Sequence, residues 1–335
     1  MKRSTHKQLE LVGLIVVGLV AGCQASRQPA DQPPGAHPPA VTVTAASKPW
    51  PRSFTDDLGN TVIVDKPPQR IISLSPNLTE IVFLVGAGQQ LAGRTDFCDY
   101  PAQAQAKPSI GGIINPSLER LVSLQPDLVL AARGVDAAFV DRLLEMKIPV
   151  LGYDPQTLDD VIALVRRIGR ITGHDEQGDE AAKALAKRKD RVAAQHRGAG
   201  NSLRVLFVLS RDPLFVAGAT SFVDDMIRTC GARNAVRDVS TIDQTRPWPQ
   251  ASREAVVAAD PQLVIIAQRH GVQQPEGPQA ILTHLQRLPA WREVAAVKAG
   301  QVYLINDDLV TIPGPRLIEG LEEISYLISK AQSHH

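Results

Sequence analysis

Three cysteines, eight histidines and the acidic pairs Asp56-Asp57 and Asp307-Asp308 are the side chains of this 335-residue chain weighed first for chemistry. Cys23, Cys98 and Cys230 fit no zinc-type spacing and are too few for a disulfide scaffold. Asp56-Asp57 and Asp307-Asp308 are paired carboxylates, but neither stands beside a histidine or a second acidic motif. They read as turns, the second pair also as the rim of a cleft. The histidines are scattered, with His334 and His335 at the tail. A dinucleotide glycine fingerprint, a phosphate loop, a Gly-x-Ser-x-Gly elbow and a His-Glu-x-x-His helix are all missing. A metal-dependent hydrolase is therefore the least favoured class, and a protein that binds without transforming its ligand is preferred.

Charge and aromatic content narrow the choice. Lys and Arg number 36 against 35 Asp and Glu, a net charge of +1, so no electrostatic footprint for nucleic acid exists. Aromatics make up only 4% of the chain, which leaves an aliphatic core and makes each loop aromatic a candidate contact. The candidates follow expected strands: Phe97, Cys98 and Tyr100 after Leu91 to Thr95, Phe215 after Leu203 to Leu209, and Asp307 and Asp308 after Val302 to Asn306. Trp248 joins them, held between prolines in Arg246-Pro247-Trp248-Pro249-Gln250, whereas Trp291, in Leu288-Pro289-Ala290-Trp291, reads as a core anchor.

The elements that must position these residues begin with an export signal over 1–22. Lys2, Arg3 and Lys7 precede the apolar run Leu11 to Gly22, whose 12 residues would rise ~18 Å as a helix, short of the ~30 Å needed to span a bilayer. Val20-Ala21-Gly22-Cys23 resembles the bacterial lipoprotein cleavage box, which makes Cys23 the expected lipidation site. Residues 23–52 carry seven prolines and few charges and read as a semi-rigid tether.

From about Ser53 short β-branched runs alternate with helical patterns, which predicts an α/β architecture. A hairpin is expected over Phe54 to Val64 with its turn at Leu58 to Asn60, and strands at Arg70 to Leu74 and Asp127 to Ala131. A capping box at Asn77-Leu78-Thr79-Glu80 is expected to open a helix that Gly86 ends, and further helices are expected over Ala137 to Met146 and Leu158 to Ile171. The segment Asp175 to His196 predicts a longer, highly charged helix with a narrow buried stripe around Ala181, Leu185 and Val192.

The chain also repeats itself at a spacing of 135 residues: Ser117-Leu118-Glu119 through Pro126 to Leu130 parallels Ser252-Arg253-Glu254 through Pro261 to Ile265 without a gap. Each copy reads as a serine cap, an acid in the first turn, two helical turns, a proline break and a buried strand. A looser echo pairs Val85-Gly86-Ala87 with Cys230-Gly231-Ala232. The expectation is two similar α/β lobes, 53–174 and 199–335, joined by one rigid helix over 175–198, with a ligand cleft between them.

With these residues in view, the chain resembles the helical-backbone substrate-binding proteins of ABC importers, the cobalamin binders most of all. The resemblance covers about residues 53 to 330. It is carried by the lipoprotein start, Arg70-Ile71-Ile72-Ser73-Leu74-Ser75-Pro76, Asp99-Tyr100-Pro101, the Glu119 repeat, the long helix and Trp248-Pro249-Gln250-Ala251-Ser252-Arg253-Glu254. It implies a monomeric, exported protein, lipid-anchored to the cell envelope on the periplasmic side where there is one. Such a protein needs no cofactor and delivers a small metal chelate to a dimeric permease with its ATPase. The implied cargo is cobalamin or a related corrinoid, with haem or a ferric siderophore as the alternative. It also implies ligand contact by Phe97, Phe215 and Trp248, with Ile113 and Ala132 standing where cobalamin binders carry two further cleft tryptophans. Cys230 then lacks its disulfide partner and is expected to be a buried thiol. Cys98 stands where a serine sits beside the ligand loop; its thiolate could ligate the metal of a chelate, although a small packed side chain is the favoured state. Glu119 and Glu254 match the acids that dock on permease arginines.

Overall fold

The computed structural model describes residues 49–198, 203–268 and 277–333. The export signal, Cys23, most of the tether and the two terminal histidines lie outside the described residues. Among the described residues no helix is long and apolar enough to cross a membrane.

The N-terminal lobe opens with a hairpin of β1 (Arg52–Thr55) and β2 (Thr61–Val64). Its turn is built by Asp56, whose carboxylate accepts from the amides of Leu58 and Asn60 at 3.0 and 2.7 Å and from that of Gly152 at 2.9 Å. The folded chain begins ahead of this hairpin. Arg52 is buried against Asp175 at 2.8 Å and stacks 4.4 Å from the Trp50 ring centroid.

There follow β3 (Ile71–Ser73), α1 (Pro76–Leu84), β4 (Leu91–Arg94), α2 (Leu118–Ser123), β5 (Leu128–Ala132), α3 (Ala137–Glu145), β6 (Val150–Tyr153) and α4 (Leu158–Thr172). The strands form an all-parallel sheet in the order β4-β3-β5-β6. Helices cover both faces, so Ile71, Ile72, Leu128, Val129 and Leu130 are all fully buried, the continuous apolar pattern of a parallel sheet. The predicted start of α1 needs correction. The helix begins two residues earlier, with Ser75 at the cap and Pro76 in its first turn, where a missing amide hydrogen costs nothing. Asn77 and Glu80 are thereby inside the helix and buried, and neither caps it.

Helix α4 has a complete capping box, Thr157 with Asp160, and stops at Gly173 in the left-handed region, φ 79°. The long helix α5 (Asp175–Gln195) follows, 21 residues or about 32 Å. Its buried positions are Gly178, Ala182, Leu185 and Val192. Ala181, placed in the stripe by periodicity, is only half-buried, and Ala182 takes the inner position.

The C-terminal lobe comprises β7 (Arg204–Arg211), β8 (Leu214–Val216), α6 (Phe222–Thr229), β9 (Arg233–Asn234), α7 (Arg253–Ala259), β10 (Leu263–Gln268), α8 (Pro278–Arg287), α9 (Ala295–Lys298), β11 (Val302–Asn306), α10 (Asp308–Thr311) and α11 (Leu317–Gln332). Strands β11, β10, β7 and β9 are mutually parallel, and β8 runs antiparallel along the C-terminal end of β7. The order β9-β7-β10-β11 matches β4-β3-β5-β6 of the first lobe. The repeat is visible in the backbone as well. Ser117 and Ser252 cap α2 and α7 through their hydroxyls, and Gln125 and Asp260, 135 residues apart, both take positive φ before a proline. In the looser echo, Ala87 donates to the Val82 carbonyl and Ala232 to that of Ile227, each just past a positive-φ glycine.

One apolar core runs through both lobes and the long helix, including Leu78, Val165, Leu185, Phe207 and Ile318. Separate cores fill the outer face of each sheet, and Trp291, buried in that of the second lobe, is the anchor its sequence suggests.

Candidate functional site

The carboxyl ends of the two parallel sheets face the same junction, the usual location of ligand sites in open α/β sheets. Helix α1 leaves the end of β3, and Asn77 in its first turn donates to the Pro313 carbonyl of the other lobe at 3.3 Å. Helix α4 leaves the end of β6, and its Leu158 amide donates to the Asp225 carboxylate of α6 at 3.3 Å. Between these contacts Glu80 of α1 meets Arg316, which precedes α11. Arg316 Nε and a terminal nitrogen donate to Glu80 Oε1 at 3.0 and 2.8 Å.

The flank of this junction on the first lobe carries Phe97, 60% exposed, and Tyr100, 46% exposed. The Tyr100 ring centroid lies 4.3 Å from the guanidinium carbon of Arg316. Cys98, between them in sequence, is packed inward, the state favoured for it over metal ligation. Its sulfur is fully buried and 3.2 Å from the Thr95 hydroxyl, because the turn after β4 folds this side chain under the loop. Cys230 is buried too, on the core side of α6, and desolvation pushes its thiol up to about 12.

On the second lobe the segment around Trp248 lies along β8. The Val216 amide donates to the Pro249 carbonyl at 3.1 Å, Gly218 to Pro247 at 2.9 Å and Ala251 to Leu214 at 3.0 Å, and Phe215 bridges Gln250. This strip holds the half-buried Trp248 ring 6.1 Å from that of Phe207, tilted by 48°. Phe215 is half-buried beside it. Asp307 begins α10 at the end of β11, its amide bonded to the Gln268 carbonyl at the end of β10. Asp308 follows, its carboxylate 3.7 Å from Arg316. Two of the residues singled out in the sequence, Tyr100 and Asp308, therefore share one partner, and two others, Phe215 and Trp248, lie on adjoining strips.

Glu80 and Arg316 were not anticipated as site residues. A glutamate inside the apolar run Leu78 to Val82 is the available clue, since a charge there must find a partner. Burial pushes the Glu80 carboxyl up to about 6 against the opposing pull of Arg316, with Asp308 and Glu319 adding to the rise. Its second oxygen, Oε2, is buried without a hydrogen-bond partner. On the side of this pair toward the long helix lies a cavity of about 870 Å³, walled by Phe83, Tyr100, Lys107, Leu185, Arg188 and Glu319. Among the described residues no group of three His, Cys, Asp or Glu side chains could hold a bare metal ion.

Glu119 and Glu254 are both exposed, each in the first turn of its short helix. The carboxyl of Glu254 is held below the ordinary range by hydrogen bonds from its own amide and the Ser252 hydroxyl.

The architecture matches a known family of binding proteins. The family model described as periplasmic binding protein covers residues 71–309. This chain belongs to that family. It is a substrate-binding protein of the ABC-importer type and not an enzyme, and the family is extracytoplasmic. The vitamin B12-binding protein of Pectobacterium carotovorum is 32% identical over 261 residues, 77% of this chain and 87% of that one. An uncharacterized ABC transporter substrate-binding lipoprotein of Bacillus subtilis, YvrC, is 30% identical over 319 residues, 93% of each chain. Among solved structures, the periplasmic vitamin B12-binding protein BtuF of Vibrio cholerae superposes with a TM-score of 0.67 at 26% identity, covering 79% of this chain and 98% of that one. The periplasmic heme-binding protein BhuT, in complex with two hemes, superposes with a TM-score of 0.67 at 27% identity, covering 78% and 98%.

Proposed function

We propose that this chain is the lipid-anchored binding component of an ABC importer that captures cobalamin or a related corrinoid between its lobes and hands it to a dimeric permease. On this reading residues 1–22 are removed, Cys23 carries the lipid and the proline-rich stretch that follows forms the tether, which ends before Trp50 and the buried Arg52 rather than at residue 52. The lobes are the chain from there to 174 and 199–335, with 175–198 the connecting helix.

The observation that carries the ligand assignment is Trp248, half-buried, which the strip along β8 holds with its ring tilted against Phe207 at 6.1 Å between centroids. A flat macrocycle is recognised by such rigid aromatic surfaces, with a few polar groups meeting its fringe. Phe97, Tyr100 and Phe215 add aromatic surface, and Asp307 and Asp308 supply acceptors for amide hydrogens of a corrin periphery. The similarity to vitamin B12-binding proteins over 77% of the chain supports the same cargo. The long helix resists wide hinge motion, so capture proceeds with a small lobe movement and a monomer suffices.

Haem is the second reading, favoured by the equal structural match to the heme-binding protein and by Ile113 and Ala132, whose small aliphatic side chains alter the space open to a corrin. Isothermal titration of the exported chain, with Cys23 replaced to keep it soluble, tests both. Micromolar or tighter binding of cobalamin or cobinamide is expected. No heat with either corrinoid, together with binding of haem or a ferric hydroxamate, transfers the assignment. Loss of the protein from the membrane fraction on Cys23→Ala tests the anchor.

A further inference from the structure

Arg316 ties four segments of the two lobes into one cluster. Glu80 in α1 and Tyr100 after β4 belong to the first lobe; Asp308 in α10 and Arg316 itself belong to the second. The guanidinium donates along one edge to Glu80 Oε1, its other terminal nitrogen stands 3.7 Å from the Asp308 carboxylate, and its central carbon lies over the Tyr100 ring, 4.3 Å from the centroid. Glu80 is 4% exposed and Arg316 8%.

Stability alone is a poor reason for this arrangement, because a buried ion pair commonly contributes no more than apolar side chains of the same volume. The pairing is also incomplete, since Glu80 Oε2 has no hydrogen-bond partner. A planar, multiply bonded guanidinium is instead well suited to holding several groups in fixed relative orientation. The loop bearing Arg316 is pressed directly on α1: a β-carbon at Gly314 would stand 3.2 Å from Glu80 Oε2 and 3.3 Å from the Asn77 Cα. Tyr100 and Asp308 meanwhile both keep free surface, so a ligand can lie against the groups that Arg316 orients.

We infer that Arg316 is a positioning residue for ligand recognition, fixing Tyr100 from one lobe and Asp308 from the other in the orientation that meets the ligand. The inference rests on the binding reading above and deepens it. Without Arg316, the tyrosine ring and the carboxylate would have to be ordered when the ligand arrives, and affinity falls accordingly.

The test removes the whole ion pair, since Arg316→Met alone would strand a buried carboxylate. In Glu80→Leu with Arg316→Met, the urea midpoint is expected to stay close to wild type. Amide exchange across Phe97 to Gln103 in the ligand-free protein is expected to rise about tenfold, and cobinamide affinity to fall about tenfold. A merely structural pair would leave both readouts where the stability is. Wild-type exchange and wild-type affinity in the double variant overturn the inference. If the wild-type protein takes up no corrinoid or haem, the functional reading fails, and the ligand-free exchange comparison alone decides the positioning role, unchanged exchange overturning it. Should the double variant not fold, Arg316→Lys, which keeps a charge for Glu80 but lacks the guanidinium carbon over Tyr100, is judged by the same two readouts.

Discussion

Gly169 of α4 and Gly178 of α5 touch through their backbones: a β-carbon on the first would stand 2.7 Å from the Gly178 Cα, and one on the second 2.9 Å from the Gly169 Cα. The obstacle in each case is main chain, which cannot swing aside as a long side chain would. The connecting helix is thus fused to the first lobe at its N-terminal end, while further along Arg188 grips Glu322 of α11 with both carboxylate oxygens, at 2.9 and 2.7 Å.

Gly178→Ala is therefore expected to destabilise the protein. Intrinsic helix propensity favours alanine by ~1 kcal/mol, but forcing two helix backbones apart typically costs about 1–3 kcal/mol beyond what repacking recovers. Urea unfolding should show a net loss. A neutral or raised midpoint would mean that the two helices slide past each other freely, and with it the rigid junction would be lost.

Much of this architecture could be read before any coordinates, for a physical reason. Parallel strands buried on both faces announce themselves as unbroken aliphatic runs, and the 135-residue repeat placed both serine-capped helices correctly because cap, break and strand each need particular residue types. The misreadings have reasons too. Asn77-Leu78-Thr79-Glu80 has the composition of a capping box, but Ser75-Pro76 is the stronger start, and Glu80 is displaced into the core. Arg316 stands alone after Pro313-Gly314-Pro315, with its partner 236 residues away, and no local pattern encodes that distance. The glycine pair at 169 and 178 reads in sequence as two weak helix positions; only the crossing of α4 and α5 turns it into a contact.

Glu80 should leave a signature in the pH dependence of stability. Its carboxyl, raised by burial from the ordinary 4.5 to about 6, holds a proton in the folded state that the unfolded chain has already released. Stability therefore falls as pH rises from about 4.5 to about 6 and stays at the lower level above that, by ~2 kcal/mol for a shift of this size. Glu80→Gln removes this contribution. The stability of the wild type relative to the variant, from urea titrations at pH 4.5 and 7, is expected to drop by that amount on going to the higher pH. A constant difference, or one of opposite sign, would show that the Arg316 contact outweighs desolvation.

Trp248 is predicted to dominate ligand binding from the second lobe. Its ring combines support from Phe207 with free surface, the setting in which truncating an interfacial tryptophan costs about 2 kcal/mol or more, roughly thirtyfold in affinity. Trp248→Ala also removes the contact with the core, so Trp248→Phe, which keeps a ring beside Phe207, is the informative companion: near-native stability with an intermediate loss of corrinoid affinity. Equal affinity of all three proteins by titration calorimetry would move the ligand away from this strip.

Glu119 and Glu254 occupy the same place in two helices related by the internal repeat, both exposed and both two residues after a serine cap. Favourable placement in the helix dipole is worth only ~0.3–1 kcal/mol to each, so replacing them should barely alter folding. If they dock the two lobes onto a two-fold permease, their charge acts chiefly on orientation and on-rate, and its loss appears in transport and not in ligand capture. Glu119→Ala with Glu254→Ala is expected to reduce uptake about tenfold or more in a reconstituted importer, with unchanged ligand affinity and a weaker dependence on ionic strength than the wild type. Uptake at the wild-type rate by the double variant would remove these two acids from the docking surface.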